Sequence, residues 1–187
     1  MEDFVHLHVH TQYSILDGQA AIPKLVDKAI KNGMKGMAVT DHGNMFGIKE
    51  FFNYCNKVNK GKSPEEKFKP IFGCEVYCAR RDLHLKENNG IDKSGWHLIL
   101  LAKNKVGYHN LVKIVSEAWV DGYYHRPRNG QGRGASRHSP REVGLNCSKV
   151  SKICFASATF SRGRPRTASV FDRRNPRRAP RRAVVVR

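Results

Sequence analysis

The sequence lacks paired cysteine motifs and long apolar runs. Its five cysteines form no pair of Cys-x-x-Cys motifs, which excludes the common sulfur-bound zinc site and fits a reducing compartment. No apolar stretch approaches the ~18 residues that span a bilayer, and the first residues lack the basic and apolar regions of a signal peptide. We therefore predict a cytoplasmic protein with no membrane partner.

Acidic residues are scarce in the last third of the 187-residue chain. Residues 128–187 hold 2 Asp and Glu against 16 Lys and Arg, a net charge of +14, whereas residues 1–127 hold 14 against 18, a net of +4. The total of +18 would ordinarily indicate a nucleic-acid-binding protein. Because the excess lies in one segment, we predict two parts, a folded domain over 1–127 and an Arg-rich tail over 128–187.

Lysine is also scarce in the tail. Residues 1–127 contain 15 Lys and 3 Arg, and residues 128–187 contain 2 Lys and 14 Arg. One interpretation is a disordered basic segment that binds phosphates, whose nucleic-acid binding would weaken with salt and vanish on truncation at residue 128. The other is a frameshift near codon 128. The abrupt change from Lys to Arg favours the frameshift. Selection for phosphate binding would accept either residue, whereas a change of reading frame alters the codon composition and so the choice between Lys and Arg. Resequencing that codon tests it.

Strand and helix patterns alternate over the first 120 residues. Apolar spacing predicts strands at 4–9, 36–40, 70–78 and 96–102 and helices at about 22–32, 45–59 and 107–119, the last with Leu111, Val112, Val115 and Trp119 facing inward. Such alternation is typical of parallel strands joined by crossover helices. We predict an α/β sheet or barrel with its ligands at the carboxyl ends of the strands.

Three histidines follow a strand period near the start. Residues 4–11 run Phe-Val-His-Leu-His-Val-His-Thr, so His6, His8 and His10 share one face at roughly 6–7 Å spacing. A half-buried strand whose imidazoles bond to the backbone would give the same pattern. Further imidazoles and carboxylates occur near predicted strand ends, at Asp17, Asp41, His42, Glu75 and His97. Together they form the ligand set of zinc, manganese or iron with exchangeable water.

Five blocks in order carry a resemblance to a known family. They are residues 4–18, 39–47 (Val-Thr-Asp-His-Gly-Asn-Met-Phe-Gly), 72–77 (Phe-Gly-Cys-Glu-Val-Tyr), 97–111 and 121–128 (Asp-Gly-Tyr-Tyr-His-Arg-Pro-Arg). The set resembles the N-terminal PHP (polymerase and histidinol phosphatase) domain of bacterial DNA polymerase III alpha subunits. The resemblance covers about residues 3–128. It implies a distorted α/β barrel with a multinuclear metal site, an irregular or disordered segment after it, and DNA and other replicase subunits as partners of the whole polymerase.

The resemblance also assigns roles to individual residues. It implies divalent-metal ligands at His8, His10, Asp17, His42, Glu75 and His97, with up to two or three ions of Zn, Mn or Fe in an intact parent. His6 and Asp41 are expected to support these ligands without binding metal. His125, Arg126 and Arg128 are candidate phosphate contacts, although their block could equally cap a turn. We expect no catalytic group beyond the metal site itself.

Two departures from the family limit what this chain can do. The family's late ligands, from an Asn-Asp-x-His-Tyr-like strand end, and its polymerase aspartates have no counterpart in residues 128–187. We therefore expect a fragment of a DNA-directed DNA polymerase whose parent carries a 3′–5′ exonuclease or phosphoesterase site. The fragment itself should have an incomplete barrel, no DNA synthesis and weak or no metal-dependent hydrolysis. The alternatives are a separate PHP phosphoesterase for a small phosphorylated metabolite and a non-catalytic basic nucleic-acid-binding fragment.

Overall fold

A computed structural model describes residues 4–87, 90–93 and 95–130, and for residues 182–186 it describes the backbone. Three helices and six strands lie within these residues. In chain order they are α1 (Ile22–Lys31), β1 (Gly36–Val39), α2 (Ile48–Val58), β2 (Lys69–Ala79), β3 (Gly95–Ala102), α3 (Lys105–Val120), β4 (Tyr123–Tyr124), β5 (Arg126–Asn129) and β6 (Arg182–Val186). The predicted mixed α/β class is confirmed.

Strand β2 is the centre of the sheet. One edge of β2 pairs in parallel with β1 through residues 69–72 and with β5 through residues 77–78. Its other edge pairs antiparallel with β3, and β6 lies parallel to β3 beyond it. Strand β4 pairs antiparallel with β5. The described strands therefore form an open sheet with β2 contacted on both edges.

Three expectations from the sequence differ from this architecture. The β2–β3 pair is antiparallel because the 80–94 connection has no helix in its described part to carry the chain back across the sheet. The strand predicted at 4–9 is reduced to one parallel bridge, between His6 and Met37. Of the predicted irregular or disordered tail, residues 182–186 form β6, and residues 131–181 and 187 lie outside the described part.

Helix α3 covers one face of the β2–β3 pair. Alternate residues of the two strands, including Cys74 and Leu100, pack on Leu111 and Ile114 in one buried cluster. The opposite alternation puts Glu75 and its neighbours two residues away on the other face. A second cluster joins α1 and α2 to β1, with buried residues at helical spacing. The sheet face turned away from α3 is therefore the face that carries polar chemistry.

Two residues of α3 depart from the predicted inward face. Val112 and Trp119, both expected to be buried, are 37% and 44% exposed. The side chain of Asn104 accepts a hydrogen bond from Gly107 N at 2.9 Å and caps the start of this helix.

Among the described residues, no helix combines the length and apolar character needed to cross a membrane.

Candidate metal centre

Antiparallel pairing of β2 and β3 assembles the core of the site. Tyr77 pairs with His97 and Glu75 pairs with Ile99, so Glu75, Tyr77 and His97 share one sheet face with His97 diagonal to Glu75. Glu75 lies in the middle of β2 and not at a strand end. The parallel arrangement expected from the sequence would not have placed His97 beside it.

The Glu75 carboxylate is fully buried and surrounded by imidazoles. Its Oε2 lies 2.7 Å from His8 Nε2 and 2.7 Å from His10 Nε2, and these two nitrogens are 2.8 Å from each other. Its Oε1 is hydrogen-bonded with His97 Nδ1. Both oxygens of one buried carboxylate therefore face histidine nitrogens, three in all, from two different segments of the chain.

Asp17 extends this cluster toward solvent. Its Oδ2 lies 2.9 Å from His10 Nδ1 and 2.6 Å from His42 Nε2, and its side chain is 59% exposed. The ring of His10 thus contacts both Glu75 and Asp17, one through each nitrogen. The other nitrogen of His42, Nδ1, lies 2.8 Å from the Tyr77 hydroxyl. All six residues predicted as metal ligands are brought together in one cluster.

Asp41 fixes the loop between His10 and Asp17. Its side chain is buried and accepts hydrogen bonds from Thr11 N (2.6 Å), Thr11 Oγ1 (2.8 Å) and Ser14 Oγ (2.7 Å). Ser14 Oγ in turn accepts from His42 N at 3.1 Å. Gly18 closes the same loop, because a Cβ there would collide with the Thr11 carbonyl. Asp41 therefore supports the cluster through the loop backbone.

Burial and mutual contacts shift the pKa values of the cluster. Burial raises the pKa of the Glu75 carboxyl, but hydrogen bonds with His10, His8 and His97 outweigh it and hold that pKa well below its usual range. Burial lowers the pKa of His10, yet the contacts with Glu75 and Asp17 raise it above its usual value overall. Burial also lowers the pKa of His42, where the Asp17 hydrogen bond offsets only part of the effect. Glu75 is therefore ionised at neutral pH.

The donor atoms of the cluster suit a divalent cation. Three groups each offer ligand atoms within 4.8 Å of one another, namely His8–His10–Glu75, His10–Asp17–His42 and His42–Glu75–His97. Imidazole nitrogens and carboxylate oxygens are the usual ligands of zinc, manganese and iron. Because Glu75, His10 and His42 each belong to two groups, the arrangement can hold neighbouring cations that share ligands.

The other predicted site residues lie outside this cluster. His6 is exposed and its ring packs edge-on to Phe4 at 4.7 Å. His125 is exposed at a left-handed backbone position, with a φ of 58°, and its ring contacts Tyr124. Arg126 is exposed, and its guanidinium carbon lies 5.0 Å from the centre of the Tyr77 ring. Of the three candidate phosphate contacts, Arg126 alone is placed beside the cluster.

Arg128 was wrongly grouped with the phosphate contacts. Its side chain is 1% exposed, and its guanidinium donates to the carbonyl oxygens of Gly122, Leu83, Leu85 and Asp92 at 2.9–3.4 Å. A guanidinium occupied by carbonyl groups in the interior cannot meet a phosphate. Arg128 therefore links Leu83, Leu85 and Asp92 to Gly122, which follows the end of α3.

Two residues near the cluster were not predicted. Tyr77 is two residues after Glu75 on the same strand, so the strand period could have placed it on the same face. Burial raises the pKa of Tyr77 to about 12, which keeps its hydroxyl protonated next to His42. Trp119 donates its indole N–H to the carbonyl oxygen of Gly43, the residue after His42, at 2.7 Å. No pattern in the sequence signals that bond.

Most of the chain matches the model of a known family. The family model described as "PHP domain" matches residues 6–149, and the chain therefore belongs to the PHP domain family.

Within that family the chain is similar to long bacterial proteins. It is 45% identical over 125 residues to DNA polymerase III subunit alpha of Borreliella burgdorferi, 42% over 125 residues to that of Treponema pallidum, and 46% over 127 residues to that of Helicobacter pylori. Each alignment covers 67% of this chain and 9–10% of the relative. The chain thus spans about a tenth of the length of the curated relatives that it matches.

Proposed function

We propose that this chain is the N-terminal PHP portion of a replicative DNA polymerase alpha subunit, a DNA-directed DNA polymerase that acts in DNA replication. The similarity to relatives named DNA polymerase III subunit alpha supports this. In the full-length parent the open sheet would be completed into a barrel, DNA would be the substrate and other replicase subunits the partners. The chain alone would not synthesise DNA, because the polymerase core is not part of it.

We further propose that the cluster binds divalent cations, Zn, Mn or Fe, for 3′–5′ exonuclease or phosphoesterase chemistry in the parent. The observation that carries this proposal is Glu75, a buried carboxylate with histidine nitrogens at both oxygens. His8, His10 and Glu75 would hold one cation, and Asp17, His42 and His97 would complete the neighbouring positions. A bound cation lowers the pKa of a water ligand and polarises a phosphoryl oxygen.

The chain's own residues prepare this chemistry. Ionised Glu75 supplies negative charge without a proton to lose, so cation binding need not displace one from it. Tyr77 fixes the ring of His42 through Nδ1, which leaves Nε2 directed at Asp17. Arg126 stacks on Tyr77 and presents an exposed guanidinium one ring away from the cluster, where it would contact the phosphate of a nucleic acid strand.

Metal binding by the full chain tests the proposal. Isothermal titration with Zn²⁺ and with Mn²⁺ is expected to show binding that the double substitution His8→Gln, His10→Gln abolishes. The matched control is His84→Gln, His109→Gln, which changes two exposed histidines away from the cluster and should leave binding intact. Equal binding by both double variants would contradict the proposed site.

The polymerase assignment is tested separately. Reading the genomic locus downstream of this sequence should reveal the remaining polymerase coding sequence, in this frame or in an overlapping one. A locus with no such sequence would leave a separate phosphoesterase as the better proposal. The parent enzyme, once expressed, should degrade single-stranded 3′ ends in a reaction that chelators stop.

A further inference from the structure

Trp119 occupies an unusual position for a residue that the helical period directs inward. It lies in the last turn of α3, and its side chain is 44% exposed. Its ring stacks on Tyr123, with centroids 5.5 Å apart and planes 17° from parallel. Because much of its ring stays in contact with water, burial of apolar area does not fully explain why an indole is placed here. Its polar N–H, in contrast, makes a hydrogen bond within the protein.

That N–H bonds to the carbonyl group of Gly43, the residue after His42. Trp119 Nε1 donates to the Gly43 carbonyl oxygen at 2.7 Å, and Gly43 N donates to the Glu75 carbonyl at 2.8 Å. Gly43 has a left-handed φ of +60°, and a Cβ there would lie 2.7 Å from Pro127 Cγ. Residue Gly43 is therefore bonded to β2 and α3 through its N–H and its carbonyl, and it lies close against Pro127 of β5.

The backbone of His42 itself is bonded on both sides. Its N–H donates to Ser14 Oγ at 3.1 Å, and its carbonyl accepts from Asn44 Nδ2 at 2.9 Å. These bonds fix His42 relative to the 11–18 loop. The indole bond adds the link to α3, since it joins positions 76 residues apart in the chain.

We propose that Trp119 is a positioning residue for His42. Its N–H fixes the Gly43 carbonyl, which sets the direction of the His42 imidazole toward Asp17 and Glu75. This inference rests on the proposed metal site. Loss of the N–H weakens the two ligand groups that contain His42, while the third group, His8–His10–Glu75, keeps its geometry.

An isosteric replacement in the full chain tests this role. Substituting 3-benzothienylalanine for Trp119 replaces the N–H by sulfur and keeps the ring shape that stacks on Tyr123. The matched control is the same substitution at Trp96, a half-exposed indole on the sheet face turned away from the Glu75 cluster, with the Arg80 guanidinium 4.5 Å over its ring. Co²⁺ binding is followed by visible absorption, and His42 by imidazole NMR signals in the Zn²⁺-loaded chain.

The expected result is about tenfold weaker Co²⁺ binding with the Trp119 isostere, the lower end of what losing an outer hydrogen-bond partner of a metal ligand costs. The His42 signals should also shift, and the Trp96 control should match the unsubstituted chain. Trp119→Phe should behave as the isostere does. If Trp119→Phe fails to fold, the isostere decides.

Two results would overturn the inference in distinguishable ways. Unchanged Co²⁺ affinity and His42 signals in the Trp119 isostere, together with lost binding in Glu75→Gln, would remove the positioning role and leave the metal site standing. Absence of Co²⁺ binding in the unsubstituted chain would remove the proposed metal site and the role of Trp119 with it.

Discussion

Glu75 and Arg128 are both buried charged residues, and their surroundings differ in kind. Arg128 is 1% exposed and its donors meet backbone carbonyl groups, which the fold fixes in place. Glu75 is fully buried and its oxygens meet imidazole side chains that have lone pairs of their own and can change protonation. A carbonyl can only accept a hydrogen bond, whereas an imidazole and a carboxylate can turn together to a cation. The first arrangement completes a fold, and the second is suited to exchange its partner.

The largest effect is expected where the partners are fixed. Arg128→Met leaves the carbonyl groups of Leu83, Leu85, Asp92 and Gly122 without their donor in the interior, which should lower the free energy of unfolding by about 3–5 kcal/mol. Urea denaturation measures this loss. Arg126→Met is the matched control, since Arg126 lies on the same strand but is exposed, and it should change stability by less than about 0.5 kcal/mol. Equal losses in the two variants would erase the distinction.

The next largest effect is expected on metal affinity when Glu75 is changed. Glu75→Gln removes the charge shared by three histidines and should weaken Zn²⁺ or Mn²⁺ binding by about 100-fold or more, which corresponds to about 2.7 kcal/mol. Metal at a concentration that saturates the unsubstituted chain but not the variant should therefore raise the melting temperature of the unsubstituted chain and not that of the variant. The control is Glu65→Gln, which changes an exposed carboxylate in the connection between α2 and β2 that is not part of the cluster. A metal-dependent rise that survives in Glu75→Gln would show that the cation binds elsewhere.

The residues around Glu75 were predicted from the sequence better than the surroundings of Arg128. Imidazoles and carboxylates near strands are rare enough in combination to be recognised, and all six predicted ligands meet in space. Arg128 could not be recognised, because a basic residue bound for a phosphate and one bound for carbonyl groups have the same side chain. Only the position of the 83–92 segment decides between them, and that depends on long-range contacts.

Local pattern also failed where one element lacked a covering layer. The period of α3 predicts the direction of Trp119 but not that its side chain stays 44% exposed beside Tyr123. The β2–β3 pairing was mistaken for parallel because the alternation of strands and helices was extended across a polar loop. Helix α1 and strands β1 and β2 were predicted nearly to the residue, since all three have apolar patterns that tertiary contacts reinforce.

A smaller effect tests how rigidly the backbone of the cluster is held. Gly43→Ala puts a side chain at a φ of +60° and against the Pro127 ring, which cannot rotate away. Gly33→Ala has the same backbone cost, with a φ of +76° and open space around the new Cβ. We expect about 1 kcal/mol of destabilisation at Gly33 and about 2–3 kcal/mol at Gly43, measured by thermal unfolding. Equal costs would indicate that the contact between β5 and the His42 loop is loose.

The smallest effect is a difference in proton affinity inside the cluster. In the metal-free chain, His10 should titrate above the usual imidazole pKa of about 6.5 and His42 below it, as followed by NMR of the ring signals. Because the pKa of His10 is raised in the folded chain, protonated His10 stabilises the fold at pH values below the usual imidazole pKa. This stability is lost as the pH rises through the pKa of His10 in the folded chain. The lowered pKa of His42 acts in the opposite sense, since protonating it opposes folding as pH falls. Identical titrations would mean that Glu75 and Asp17 do not distinguish the two rings. Metal binding should weaken on acidification in either case, because protons compete for the same nitrogens.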